Sequence, residues 1–144
     1  MTRSYPERPM VGVGAVAIRD GRVLLIRRGR APRLGEWSLP GGAQRLGETV
    51  EEAIHREMIE ETGLEVEPLD VVAVVDFIDR DEVGAIRYHY TLIDFAVRII
   101  GGTPRAGDDA AALSWVAPED LEALALPEDT LRVIRLAWTP LFAP

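Results

Sequence analysis

GAQRLGETVEEAIHREMIEETGL, running from Gly42 to Leu64, is the stretch from which both the fold and the chemistry are read. From Glu48 to Thr62 it holds neither glycine nor proline and is rich in helix formers, and Gly63 stands where a helix C-cap is expected. A helix over Glu48 to Thr62 follows. At about 100° per residue, Glu57, Glu60 and Glu61 fall within an arc of roughly 100°, continuing the stripe begun by Val50, Ala53 and Ile54. Three carboxylates on the face turned toward the protein body resist ionisation unless positive charge lies among them. A divalent cation answers that need, because hard cations take carboxylate oxygens and complete their shells with water and substrate phosphate. Arg56 reaches Glu52 and Glu60 at four residues' spacing in either direction. A solvated glutamate-rich helix and an ordinary surface ion pair are the plain alternatives. Pro40-Gly41-Gly42, ahead of the helix, reads as a tight turn whose backbone can approach a metal or a phosphate.

Outward from this segment, Val11 to Ile18 and Arg22 to Arg28 are β-branched runs joined by Asp20-Gly21, the dipeptide of a tight hairpin. Gly29 to Gly35 reads as a loop and Trp37 to Leu39 as a brief strand. After the helix, Val66 to Ile78 and Ala85 to Ile100 form a long antiparallel pair around the polar loop Asp79 to Gly84. Ala111 to Val116 is a further strand, Pro118 to Leu121 opens a short helix, and Pro127 to Trp138 is a terminal amphipathic helix with proline near N1. Strands crowd the middle and helices come in separate blocks, so the class is α+β, a mixed, largely antiparallel sheet with helices against it.

The 144 residues suit a single domain over 1–144, with 47% hydrophobic and 28% charged residues and no run long enough to span a membrane. Cysteine is absent, which excludes thiolate metal sites and cysteine nucleophiles and suits a cytoplasmic location. A net charge of −8 argues against duplex nucleic acid as the partner. It leaves a polyanionic small molecule open, provided metal ions stand between carboxylate and phosphate.

Gly42, Glu48, Arg56-Glu57-Met58, Glu60-Glu61 and Gly63-Leu64 stand at spacings that resemble the Nudix box at every position. Chance agreement is on the order of 10⁻⁷ per chain of this length, which sets coincidence aside. The resemblance implies an α/β/α sandwich and metal-dependent hydrolysis of a nucleoside diphosphate linked to another moiety. It implies Mg²⁺, with Mn²⁺ as a substitute. It further implies Glu57, Glu60 and Glu61 as metal ligands, Arg56 orienting a box glutamate, Glu48 supporting the site, and Gly42 and Gly63 as structural. Family members take the proton of the attacking water with a box glutamate or a later loop acid. Glu57 or Glu60 is favoured here, with Asp108-Asp109 as the loop alternative.

Arg87 to Arg98 together with Gly107-Asp108-Asp109 is similar to the ADP-ribose pyrophosphatase-like branch, although Asp76 to Arg80 lacks the proline often found there. Arg28, Arg87 and Asp108 are the candidate substrate contacts, with Arg27, Arg30 and Arg33 as further phosphate contacts. On the penultimate long strand Arg87, His89 and Thr91 share one face, and Tyr88 or Tyr90 could stack on a base. Trp37 could pack in the core or on a base. Two alternatives remain open: a sanitising nucleoside triphosphate pyrophosphohydrolase, and a non-catalytic nucleotide-binding sensor. The length of the apolar strand pair also suggests a homodimer.

Overall fold

A computed structural model describes residues 3–107 and 110–138. β1 (Met10–Arg19) and β2 (Arg22–Arg28) form the expected hairpin, because Asp20 and Gly21 both take positive φ, 53° and 73°, and pair Arg19 with Arg22 across a two-residue turn. β3 (Trp37–Ser38) pairs antiparallel with Ile26 and Arg27 of β2. The expected turn at Pro40-Gly41-Gly42 is instead the entry to a short strand, β4 (Gly41–Ala43), antiparallel to Gly12–Gly14 of β1. The two backbones lie so close that a Cβ on Gly41, whose φ is 157°, would overlap the carbonyl of Val13. Glycine is therefore required here by an approach between distant segments, which a local turn rule does not register.

α1 covers Val50–Thr62, two residues shorter at its start than the sequence reading. Thr49 caps it: its hydroxyl accepts from the Glu52 N–H at 3.0 Å, and the Glu52 carboxylate accepts from the Thr49 N–H at 3.0 Å. Gly63 closes it in the left-handed region at φ 73°, as expected. The segment 103–107 crosses this end, where the N–H groups of Arg105 and Gly107 donate to the free carbonyls of Thr62 and Glu61.

β5 (Leu64–Arg80) and β6 (Ile86–Gly102) are the long antiparallel pair; β5 runs two residues past its expected limits at each end, and β6 starts one residue later and ends two residues later than expected. β6 also runs parallel to β1 from Met10 to Ala17. β7 (Ala110–Val116) pairs antiparallel with β2, giving a mixed sheet of order β3-β2-β1-β6-β5 with β4 on β1 and β7 on β2. A 3-10 turn over Pro118–Leu124 precedes α2 (Glu128–Ala137), whose Pro127 stands at the N-cap and not inside the first turn.

The alternation of the strands divides the core between two faces. Val13, Ala15, Ala17, Leu24, Phe95 and Val97 pack under Ala53, Ile54 and Met58 of α1. Val16, Val23, Leu25 and Val75 pack on the other face under Leu121, Val133, Ile134 and Ala137. This is the α/β/α sandwich, helix on sheet on helix. Among the described residues no helix is long and apolar enough to cross a membrane.

Candidate active site

Arg56 organises the acidic cluster. Its Nε donates to Glu48 Oε2 at 2.5 Å and its Nη2 to Glu48 Oε1 at 2.9 Å, a two-pronged pair, while Nη2 also reaches the Ala43 carbonyl at 2.9 Å. Its Nη1 donates both to Glu57 Oε1 at 2.6 Å and to Glu60 Oε2 at 3.2 Å. The Glu60 pairing is the expected one; the Glu52 pairing does not form. Glu52 is engaged in the capping box, and because the helix starts at Val50, Glu48 sits in the preceding loop, where it can fold back onto the guanidinium. Arg56 thereby ties loop, β4 and α1 into one unit.

The charges follow from these contacts. The hydrogen bond from Arg56 pulls the Glu48 carboxyl down to about 2, against the lesser opposing effect of burial. Arg56 is held more firmly protonated, chiefly by Glu48. Glu57 moves the other way: burial raises its pKa, opposed by the hydrogen bond from Arg56. Glu61 is 7% exposed and accepts the Gly41 N–H on Oε1 at 2.8 Å. Gly42 faces Glu57, and a Cβ there would overlap the carboxyl group.

Glu57, Glu60 and Glu61 lie along one wall of a cavity of about 560 Å³, the size of a small-molecule site. The buried stripe of α1 runs through Ala53, Ile54, Met58, Glu61 and Thr62, so Met58 and Thr62 carry it onward and Glu57 and Glu60 occupy its shoulder. Arg56 and Glu48 are not on the cavity wall; they hold the carboxylates from behind. Among the described residues no three acidic or imidazole side chains close into a finished cation cage. The expected convergence is thus a shared wall, with Glu57 and Glu60 turned to Arg56 and Glu61 to the Gly41 N–H. The donor set still fits a hard divalent cation: three carboxylates on the cavity wall, one of them destabilised as an anion by burial, and a glycine at 42 that leaves room for the Glu57 carboxyl.

Of the candidate phosphate contacts, Arg28, Arg30 and Arg33 line the same cavity. Burial lowers the Arg28 pKa, with Glu61 the foremost opposing charge, and its Nε donates to the Pro32 carbonyl at 2.6 Å. Arg27 turns away, donating to the Gly35 carbonyl at 3.2 Å. Arg87 is not in this cavity. It is exposed, pairs with Asp79 at 2.8 Å, and lines a separate, more polar depression with Tyr88. On β6 the face turned to the main cavity is that of Tyr90, Leu92 and Asp94, and His89 and Thr91 do not line it. Trp37 packs against the core under α2. Asp108 and Asp109 lie outside the described residues.

Among the cavity residues that the sequence reading did not single out are Arg3, Gln44 and Arg45 ahead of α1, Phe77 from β5, Asp94 from β6, and Asp129 and Thr130 from α2. Only Asp94 carried a signal, as a lone acid within the apolar run Tyr90 to Val97. Burial pushes its carboxyl up to about 6, with Arg132 acting weakly in the opposite direction.

A family model described as NUDIX domain matches residues 8–137. An ADP-ribose pyrophosphatase of Methanocaldococcus jannaschii is 37% identical over 130 residues, spanning 90% of this chain and 75% of its own. A candidate 8-oxo-dGTP diphosphatase of Mycobacterium tuberculosis is 42% identical over 132 residues, 90% of this chain and 89% of its own. Among solved structures, a MutT NUDIX hydrolase from Burkholderia pseudomallei is similar at a TM-score of 0.76 and 38% identity, covering 90% of this chain and 98% of that one.

Proposed function

This chain belongs to the NUDIX family, and on that premise we propose that it is a divalent-cation-dependent pyrophosphohydrolase, acting through one domain on a nucleoside diphosphate linked to a further moiety. The observation that carries this reading is the Arg56-held row of Glu57, Glu60 and Glu61 along one wall of a nucleotide-sized cavity whose rim also bears Arg28, Arg30 and Arg45.

Glu57, Glu60 and Glu61 would hold the cation, Mg²⁺ or in its place Mn²⁺. Such an ion, when bound, offsets the charge of a diphosphate and makes its phosphorus more open to attack. The protein does the rest. Arg28, Arg30 and Arg45 take the outer phosphate oxygens, and the apolar wall of Val75, Phe77, Tyr90 and Leu92 receives the organic part of the substrate. Arg56 fixes the rotamers of Glu57 and Glu60, so that one of them stands ready to accept the proton of the attacking water. The water oxygen bonds to phosphorus, the bridging P–O bond breaks, and the leaving phosphate carries away the electron pair.

A nucleotide sugar of the ADP-ribose type is the favoured substrate class, supported by the likeness to the Methanocaldococcus jannaschii pyrophosphatase. The second reading, a triphosphate pyrophosphohydrolase that clears oxidised nucleotides, is supported by the likeness to the mycobacterial protein. Product release from nucleotide sugars, dinucleoside polyphosphates and triphosphates, with Mg²⁺, Mn²⁺ or a chelator, tests both. Cation-dependent turnover is expected, and the best substrate chooses between them. Tight nucleotide binding without turnover of any compound would favour a sensor instead.

The absence of cysteine supports a cytoplasmic enzyme. A homodimer is part of the same proposal: β5 is an open sheet edge carrying exposed Val71, Val74 and Ile78. Sedimentation is expected to give twice the monomer mass, and a monomer would reject it.

A further inference from the structure

Asp94 is the buried acid that the hydrolytic chemistry does not use. It projects from β6 opposite Gly14 of β1, where a Cβ would overlap its Oδ1, so glycine at 14 is what gives the carboxyl room. It is 7% exposed and lines the cavity shared with Glu57 and Glu61, beside the apolar wall of Phe77, Tyr90 and Leu92. No described residue donates a hydrogen bond to it, and Arg132 acts on it only through space. Among the described residues no fully buried side-chain oxygen lacks a partner, so the Asp94 oxygens open onto the cavity, where a molecule bound there can supply the donor that the described residues do not.

We propose that Asp94 is a specificity residue that receives the donor edge of a nucleobase, an exocyclic amino group or ring N–H, lying against Leu92 and Val75 of the same wall. The inference rests on the nucleotide-hydrolase reading for the occupant of the cavity. Phosphate is not the partner, since a carboxylate with no cation on it repels phosphate, and the arginines and the cation-holding glutamates of the cavity serve that part of the substrate. A planar base can lie flat on an apolar strand face, and a carboxylate accepts strongly from amino and ring N–H groups.

Calorimetric titration with guanosine, adenosine and purine riboside 5′-monophosphates tests this, because the last has the same ribose and phosphate but no donor on its base edge. Wild type is expected to bind the first two roughly 10- to 100-fold tighter than the third, the range of a hydrogen bond to a charged group. Asp94→Ala is expected to bring all three within about threefold of one another, and Asp94→Asn, which keeps the volume, to cut the preference by about tenfold. Equal weakening of all three by Asp94→Ala would assign the group to the ribose or to the fold and overturn the proposal. So would a wild type without preference, or without binding. A hydrolase reading that fails shows itself separately, as no turnover of any nucleotide while the binding preference persists.

Discussion

Replacing Asp94 by asparagine puts a magnitude on the strain that the cavity imposes. Burial holds this carboxyl at about 6, against 3.8 for a free aspartate. The folded state therefore binds the proton more tightly than the unfolded chain. Stability contributed by the neutral form is fully present below about pH 4 and is lost as pH rises through about 6. A carboxyl held that far above its free value destabilises the fold by about 3 kcal/mol once it is ionised in both states. Asparagine has the same shape and no such ionisation. Asp94→Asn is thus expected to match the wild type near pH 4 and to exceed it by up to about 3 kcal/mol at pH 8, a rise in Tm of roughly 6 to 12 °C for a chain of this size. Urea denaturation at pH 4, 6 and 8 in cation-free buffer reads the difference directly. A gap that does not change with pH, or an asparagine variant less stable at pH 8, would refute the account, since either result requires that the fold itself supplies donors to the carboxylate.

The other expectations follow from single contacts. Gly42→Ala sets a Cβ against the Glu57 carboxyl and is expected to lower kcat at least about tenfold while costing under about 2 kcal/mol in a melt, because the flexible carboxyl end can move aside. Arg56→Lys loses the two-pronged grip on Glu48 and the shared donor to Glu57 and Glu60; a loss of about 1 to 3 kcal/mol by urea titration is expected, with kcat falling more than KM rises. The Glu48 carboxyl is held at about 2, so its contribution is present above about pH 4.5 and fades as pH falls toward 2. Wild type and Glu48→Gln should therefore differ in stability at pH 7 and converge in acid. Met58→Ala empties a fully buried position under α1 and is expected to cost about 2 to 5 kcal/mol in denaturant unfolding.

What could be read from the sequence was what is decided locally. Asp20-Gly21 specifies a two-residue hairpin by its own backbone preferences, and Gly63 ends α1 for the same reason. The spacing of Glu57, Glu60 and Glu61 follows from the helical period, which is why the acidic wall was legible before any tertiary contact was known. Misread features depend on segments that meet only in three dimensions. Gly41 and Gly42 form a strand because β1 lies against them, so their local turn signal loses to the ladder. Glu48 takes the place assigned to Glu52 because Thr49 begins the helix later and claims Glu52 for its cap. Arg87 follows the outer end of β6 to Asp79, and Tyr90 and Asp94 become cavity residues through the pairing of β6 with β1 and β5.

The central claim is that the carboxylates held by Arg56 and the Gly41 N–H perform cation-dependent hydrolysis, and turnover by Glu57→Gln and Glu61→Gln beside the wild type, each with a parallel thermal melt, tests it most directly. The account predicts that kcat falls at least about 100-fold in both variants, the scale of a lost general base or electrostatic contact, while both remain folded. Folded variants that keep wild-type turnover in Mg²⁺ would contradict it and move the chemistry away from this wall.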